Sequence, residues 1–460
     1  MPGLQIESIK LESLVLNPRN ARTHSRRQIQ QIAKSIRSFG FASPVLIDEN
    51  NVILAGHGRL TAAKELQLAH VPCIRLAHLN LTQKKALALA DNRIALDAGW
   101  DEELLAQELK DILTDATFDI TDTGFTLAEI DGVIEGLGVD EAGDPRDERL
   151  PALDADQKVT QKGDVWILGR HRLICGDALD PEVVETLMAG DLAQMVFADP
   201  PYNVKIANVS GLGKTEHPEF AMASGEMAPE QFTSFLETAF RNLVKHSIDG
   251  SIHFVCMDWR HQAEISEAGK RTYSELKNVI VWDKINGGMG SFYRSRHELI
   301  YAFKNGTAPH INNFGLGQRG RYRTNVWAYR GMNSFGAGRD AALESHPTVK
   351  PVAMIADAIK DVSGRGGIVL DLFGGSGSTL IAAEKAGRRG FLCELNEAYC
   401  DLIIRRYQAC AKDDATLVST GETFDQRRAM QLKIRNTEPG AAPAPRGSSP
   451  EKLNEVNSHD

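Results

Sequence analysis

Two short stretches hold residue types whose order could do chemistry. The first is Asp199-Pro200-Pro201-Tyr202, directly after the apolar run Met195-Val-Phe-Ala198. A strand that runs into two prolines stops there, because neither can donate to a ladder. It leaves the Asp199 carboxylate and the Pro200 carbonyl, two acceptors, at the carboxyl edge of a sheet, where open α/β folds bind ligands. Tyr202 adds a flat aromatic face. Two acceptors converging on one NH2 group, with a ring to stack on, suit the exocyclic amine of a nucleic-acid base. That amine's lone pair is delocalised into the base. Acceptors on its hydrogens favour the tetrahedral, nucleophilic form and drain positive charge as an electrophile arrives. The plainer reading is a strand-ending turn with a capping Asp.

The second stretch is Asp371-Leu-Phe-Gly-Gly-Ser-Gly-Ser-Thr379, between the strand-like Ile368-Val-Leu370 and a helical run from Leu380 to Ala386. Gly375 and Gly377 let backbone approach a ligand closely, and the helix N-terminus adds N–H donors. Glu394 ends the next apolar run, 23 residues past Asp371. An acidic side chain at about this distance holds ribose hydroxyls in nucleoside-binding α/β folds. By itself the turn suits a dinucleotide equally well. Ser378 follows Gly377 where a triphosphate-gripping loop needs Lys.

Together these stretches resemble the amino-methyltransferases of DNA, in the permuted class whose catalytic motif precedes its cofactor motif. The resemblance spans about 163–411 and includes Gly176-Asp177, His346-Pro-Thr-Val-Lys-Pro351 and Glu394-Leu-Asn396, in that class's order. It implies an α/β fold: a Rossmann-like domain dependent on S-adenosylmethionine, with an antiparallel strand in its sheet. It also implies roles. Asp199, Pro200, Pro201 and Tyr202 would hold the base, and Asp371, Phe373, Gly375 and Gly377 would form the cofactor turn. Glu394 would take the ribose hydroxyls, Asp177 the cofactor adenine, and Thr348 with Lys350 its methionine end. The chain departs from the family at Gly374, usually bulkier, and at Ser378, usually Thr. Asp before the prolines leans toward the 6-amino group of adenine, with the 4-amino group of cytosine as the alternative. The implied reaction is direct attack by the amino nitrogen of a flipped-out base, with no metal and no covalent enzyme intermediate. Two further readings stay open: a DNA-binding regulator with an inert methyltransferase domain, and amino-methylation of RNA or protein glutamine.

Stretches that would position these residues are visible on both sides. Runs at 194–198, 251–256, 278–282, 298–303, 367–371 and 390–394 read as buried strands separated by helical stretches. Upstream, Ile29, Ile32, Ala33 and Ile36 recur at helical spacing after a cap at Ser25. Residues 44–48 and 51–55 read as strands joined by a polar turn, before a helix at about 60–68 and a strand at 71–76. Asn17-Pro-Arg-Asn20 and Gly56-His57-Gly58-Arg59-Leu-Thr-Ala-Ala63 give about 14–93 a resemblance to the ParB/sulfiredoxin-like fold, a smaller α+β domain. That resemblance implies a phosphate cradle for a nucleotide at Gly56, His57 and Arg59. Arg59 packing with no ligand is the plain alternative. Cysteine is absent ahead of Cys73, which argues against the sulfiredoxin reaction. The expected organisation is a ParB-like domain with a helical extension over 1–140, a linker over 141–158, the methyltransferase domain over 159–435 and a disordered tail over 436–460.

The net charge of -9 argues against a polyanionic partner until it is divided along the chain. Trp100–Asp156 holds 18 Asp/Glu against three Lys/Arg, a balance of -15, so all other residues together carry +6. This acidic span reads as a solvated helical face and linker. Between Lys284 and Arg330 eight Lys/Arg meet one acid, Glu298. Local fields, not totals, steer a polyanion. A target-recognition region on double-stranded DNA is therefore expected at about 284–340, with Arg319, Arg321 and Arg323 as its contacts. No apolar run approaches the roughly 20 residues that span a bilayer, so no membrane partner is expected. The start MPGLQIESIK lacks a secretory pattern. Six scattered cysteines without a CxxC pair or zinc spacing point to a reduced, cytoplasmic protein. The oligomeric state stays open, a homodimer being one arrangement.

Overall fold

A computed structural model describes residues 4–94, 99–115, 117–135, 144, 146–153, 158–204, 225–285, 287, 292–314, 323–331 and 349–437. It divides into two compact units, the first formed by 1–140 with 311–323 and 360–365, the second by the remaining chain.

The first unit begins with a four-stranded sheet in the order β1-β4-β2-β3, built from β1 (Ile6–Lys10), β2 (Val45–Ile47), β3 (Ile53–Ala55) and β4 (His70–Arg75). Helices α1 (Arg26–Phe39), α2 (His57–Glu65) and α3 (Leu81–Ile94) accompany it. The Ser25 hydroxyl accepts the Gln28 N–H at 3.1 Å and caps α1 as expected. Ile29 and Ala33 on the inner face of α1 are buried against Ala62 of α2. Val45, Ile47, Ile53, Leu60, Val71 and Cys73 fill the core below the sheet. Farther on, α4 (Glu102–Leu113) and α5 (Leu127–Glu135) flank a tight helical turn at Ile120–Thr123. Leu109, Ile120 and Ile130 are buried together there. The acidic span therefore contributes apolar side chains to a small core. Lys34 of α1 reaches its turn, pairing with Asp119 at 2.7 Å and Asp122 at 3.0 Å.

The second unit is a ten-stranded sheet. Its strands are β5 (Val165–Leu168), β6 (His171–Cys175), β7 (Ala193–Ala198), β8 (Ser247–Met257), β9 (Glu275–Asp283), β10 (His297–Lys304), β11 (Val326–Ala328), β12 (Ile368–Asp371), β13 (Arg389–Glu394) and β14 (Ala415–Leu417), in the order β11-β9-β10-β8-β7-β12-β13-β6-β5-β14. The six expected strands fall at β7, β8, β9, β10, β12 and β13; the others are short or lie toward the edges. Strands β6, β13, β12, β7 and β8 run parallel, and β10 runs antiparallel to both of its neighbours. The described helices are α6 (Pro181–Met188), α7 (Pro229–Lys245), α8 (Gln262–Thr272), α9 (Val352–Val362), α10 (Ser378–Lys385), α11 (Glu397–Ala411) and α12 (Phe424–Thr437). Phe232, Leu236, Phe240 and Leu243 recur along α7 at helical spacing and are buried with Val196, Val255 and Leu370 of the sheet.

The strand order locates the site. Strands β7 and β12 are neighbours, yet the chain leaves β7 toward β8 and leaves β12 the other way toward β13. A crevice above their carboxyl ends follows from that reversal.

Two expectations about connections need correction. Described parts of the stretch read as a linker over 141–158 are seated on the second unit. The Glu148 carboxylate accepts the Val352 N–H at 2.8 Å, and Arg406 donates to the Asp147 carbonyl at 2.6 Å. Mixed charge, read as a sign of solvation, here supplies partners for buried donors. Of the tail expected over 436–460, Asn436 and Thr437 belong to α12, and 438–460 lie outside the described residues.

Candidate active site

Strand β7 delivers Asp199 and Tyr202 to the crevice. The Tyr202 hydroxyl donates to Asp199 Oδ1 at 2.7 Å and to Glu298 Oε2 at 3.2 Å. Glu298 stands near the start of antiparallel β10, which explains how a residue 96 positions away reaches the same place. Beyond Tyr202, Asn203 holds a positive φ of 53° and is buried. Its amide donates to the Met227 carbonyl at 2.8 Å and accepts the N–H groups of Gly225 and Met227 at 3.1 Å. Asn203 thus ties the end of the catalytic turn to the chain entering α7.

Lys350, expected at the cofactor's methionine end, is found on the Asp199 carboxylate. Its ammonium donates to Asp199 Oδ1 at 2.8 Å and Oδ2 at 2.7 Å, and pairs with Glu298 at 3.2 Å. It also lies 5.2 Å from the centre of the Tyr202 ring. Glu298 pairs in addition with Lys284, beyond the end of β9. Trp282, buried on β9, backs this cluster: the Lys284 ammonium sits 5.1 Å from its ring centre. Burial opposes the charge on Lys350, but Asp199 and Glu298 outweigh it and hold the ammonium protonated. Burial pushes Asp199 above the usual carboxylate range, Lys350 pulling the other way and Glu298 adding to the rise. For Glu298 burial would also raise the value, but Lys350 and Lys284 prevail and hold it at about 2. Burial lifts the Tyr202 phenol, with Asp199 and Glu298 adding to the shift, so it serves as a donor.

Across the crevice, Asp371 ends β12 and organises the glycine turn. It accepts the Phe373 N–H at 2.9 Å and the Thr379 hydroxyl at 2.6 Å. Gly377 caps α10 with φ 82°, and a Cβ there would come within 3.0 Å of Ile403, so glycine is needed twice over. The Phe373 ring lies 6.2 Å from that of Phe235. At the end of β13, Glu394 accepts the Gly375 N–H at 2.7 Å and the Asn396 N–H at 2.8 Å. Asp177 follows β6, where the Gly176 N–H donates to the Glu394 carbonyl at 2.9 Å and the Leu179 N–H donates to the Asp177 side chain. Burial pushes both Asp371 and Glu394 up to about 7. This edge combines a backbone cradle too narrow for side chains with carboxylates fit for ribose hydroxyls and for a cationic ligand. It fits S-adenosylmethionine, a nucleoside bearing a sulfonium.

The structure thus brings Asp199, Tyr202 and Lys350 together on one side, and Asp177, Asp371, Gly375, Gly377 and Glu394 on the other. Thr348, Arg319 and Arg321 lie outside the described residues. Arg323, expected on DNA, is instead turned inward in the first unit, where Nε pairs with Asp361 at 2.9 Å and the side chains are 7% and 4% exposed. In that unit Arg59 donates to the Ser43 and Pro44 carbonyls at 2.8 and 3.0 Å, folding back beside Gly56, which has φ 102°. Sequence reasoning missed Glu298, Lys284 and Trp282 as site residues. One signal was available: Glu298 is the lone acid in a basic stretch.

Three families match parts of the chain. Residues 193–405 match the DNA methylase family, 2–93 match the ParB N-terminal domain, and 103–162 match the ParB-methyltransferase HTH domain. Over 82 residues, 18% of the chain, it is 46% identical to the ParB-like nuclease domain-containing protein YnaK of Escherichia coli (strain K12), covering 94% of that protein. It is 24% identical over 228 residues to the Type II methyltransferase M2.MboI of Moraxella bovis, covering 46% of this chain and 80% of that one. The crystal structure of the M1.HpyAVI-SAM complex is 17% identical over 51% of this chain and 97% of that one, with a TM-score of 0.38. Fold and site define an S-adenosylmethionine-dependent methyltransferase with a second, amino-terminal domain. Residues 193–405 form a DNA methylase domain of the N6/N4 type, and the amino-terminal domain is of the ParB type.

Proposed function

We propose that this enzyme methylates the 6-amino group of adenine in double-stranded DNA. The observation that carries the reading is the pair of Asp199 oxygens beside the Tyr202 ring, at the edge shared with the glycine turn. Bound S-adenosylmethionine supplies an electrophilic methyl group. Glu394 takes its ribose hydroxyls, Asp177 its adenine, and the turn from Asp371 through Phe373, Gly375 and Gly377 its backbone-facing side. Asp199 and the Pro200 carbonyl accept the hydrogens of the target amine while Tyr202 stacks on the base. The amine nitrogen would attack the methyl group presented there, and its proton would pass to the Asp199 carboxylate and on to solvent. A recessed carboxylate cannot reach a base inside the helix, so the base must leave the stack. Asp ahead of the two prolines favours adenine over cytosine. The catalytic motif precedes the cofactor motif, as in the permuted class.

Sequencing modified bases in DNA from cells expressing the chain tests this directly. Methylated adenine at a defined site, lost with Asp199→Ala, is the expected result; methylated cytosine would correct the base, and unmodified DNA would leave the regulator reading. The basic region at 284–340 serves target recognition in this scheme, with Arg319 and Arg321 as its contacts. A nucleotide at Gly56, His57 and Arg59 would raise the melting temperature of the full chain, and Arg59→Ala would remove that rise.

A further inference from the structure

We propose that the Lys350 ammonium fills the target-amine position while no base is bound, and that Glu298 receives it when a base enters. The inference rests on the reading of Asp199 as the amine acceptor and adds a residue to it. An incoming amine needs two things here, acceptors for its hydrogens and the Tyr202 ring to lie beside. The Lys350 ammonium already occupies the Asp199 acceptor and the place beside the ring: it donates to each Asp199 oxygen, at 2.8 and 2.7 Å, and sits 5.2 Å from the ring centre. It imitates the amine by geometry, and by its charge it keeps a half-buried carboxylate paired.

A base can enter only if this cation has somewhere to go. Glu298 offers the place, since its Oε2 is already 3.2 Å from the Lys350 ammonium. It is fixed there by Lys284 and by the Tyr202 hydroxyl, so its carboxylate need not move. Lys350 can then swing from one carboxylate to the other without ever being stranded, a step that would otherwise cost several kcal/mol for an unpaired buried charge. The exchange also changes Asp199. Once its cation has left for Glu298, its negative charge faces the amine alone, at the moment when positive charge develops on that nitrogen. An acceptor freed in this way stabilises the transition state more than one already neutralised by a neighbour. Glu298 is in this sense a positioning residue, acting through Lys350.

The test uses the full chain, S-adenosylmethionine and DNA from a host lacking the modification, with single-turnover methyl transfer as readout. Glu298→Gln removes the charged acceptor for Lys350 and should slow the step about tenfold or more, a hydrogen bond to a charge being the interaction lost. Cofactor and DNA affinities should stay within about twofold, as for sites without shared partners. Glu298→Asp should restore part of the rate. In a Lys350→Met background, with Lys350→Gln in parallel to guard against misfolding, Glu298→Gln should cause no further slowing. The acid limb of the pH–rate profile should move to higher pH in the Lys350 variants, because Asp199 loses the cation that favours its ionised form. An unchanged rate for Glu298→Gln, or an equal slowing with and without Lys350, would overturn the exchange. Failure of the underlying reading looks different: Asp199→Ala would retain turnover whatever Glu298 does.

Discussion

Glu394 and Gly375 are joined across the cofactor edge, the glycine N–H donating to Oε2 at 2.7 Å, while the other oxygen is held by the Asn396 N–H. The carboxylate is therefore fixed before any ligand arrives, but burial raises it to about 7. Ribose hydroxyls donate best to the ionised form, and that form predominates only above this value. S-adenosylmethionine affinity should accordingly rise between pH 6 and pH 8, with proton release on binding. Glu394→Gln should flatten the dependence and weaken binding by roughly 1.5–3 kcal/mol, the worth of hydrogen bonds to a charge. Calorimetry across that range, in buffers of different ionisation enthalpy, checks both.

Asp199→Ala should lower methyl transfer about 100-fold or more, as loss of a positioned group at a reacting centre does. Cofactor binding should change little, since Asp199 faces Lys350 and Tyr202 and not the glycine turn. Turnover on DNA and calorimetric titration of the same preparation separate the two effects.

Lys350→Met distinguishes the position seen from the position expected. An ammonium at the methionine end of the cofactor would make this variant lose affinity for S-adenosylmethionine. An ammonium on Asp199 and Glu298 predicts affinity within about twofold of the parent, as for a residue with no shared partner. The rate should fall, and its acid limb should move upward in pH.

Arg323→Ala should destabilise the protein by about 3–5 kcal/mol, because it leaves the buried Asp361 carboxylate without the guanidinium paired to it. Denaturant unfolding measures this. An outward-facing DNA contact would instead leave stability alone and reduce the salt slope of DNA binding by about one.

How much of this was legible beforehand depends on the range of the interaction. Asp199 and the two prolines, the glycine turn and Glu394 could be read directly, because a strand stop, a positive-φ cap and a carboxylate at a strand end are local chemistry with local signatures. The Ser25 cap and the central strands of both sheets were visible for the same reason. Strands β1, β5, β6, β11 and β14 were missed; three to five residues long, they take their stability from the neighbours they pair with more than from their own pattern.

The sequence by itself determined which reacting groups exist and on which turns they stand. Only the tertiary structure decided what each charge faces. A basic side chain carries the same sign toward a phosphate or a carboxylate, and sequence spacing does not say which one it will meet. Lys350 finds Asp199 across 151 residues, and Arg323 finds Asp361 across 38. Lys350 is thereby held on the Asp199 carboxylate, and Arg323 leaves the expected DNA surface for a buried pair. Desolvation is the reason: once a carboxylate is taken out of water, the fold must bring it a cation, and that demand outweighs any outward role local composition suggests.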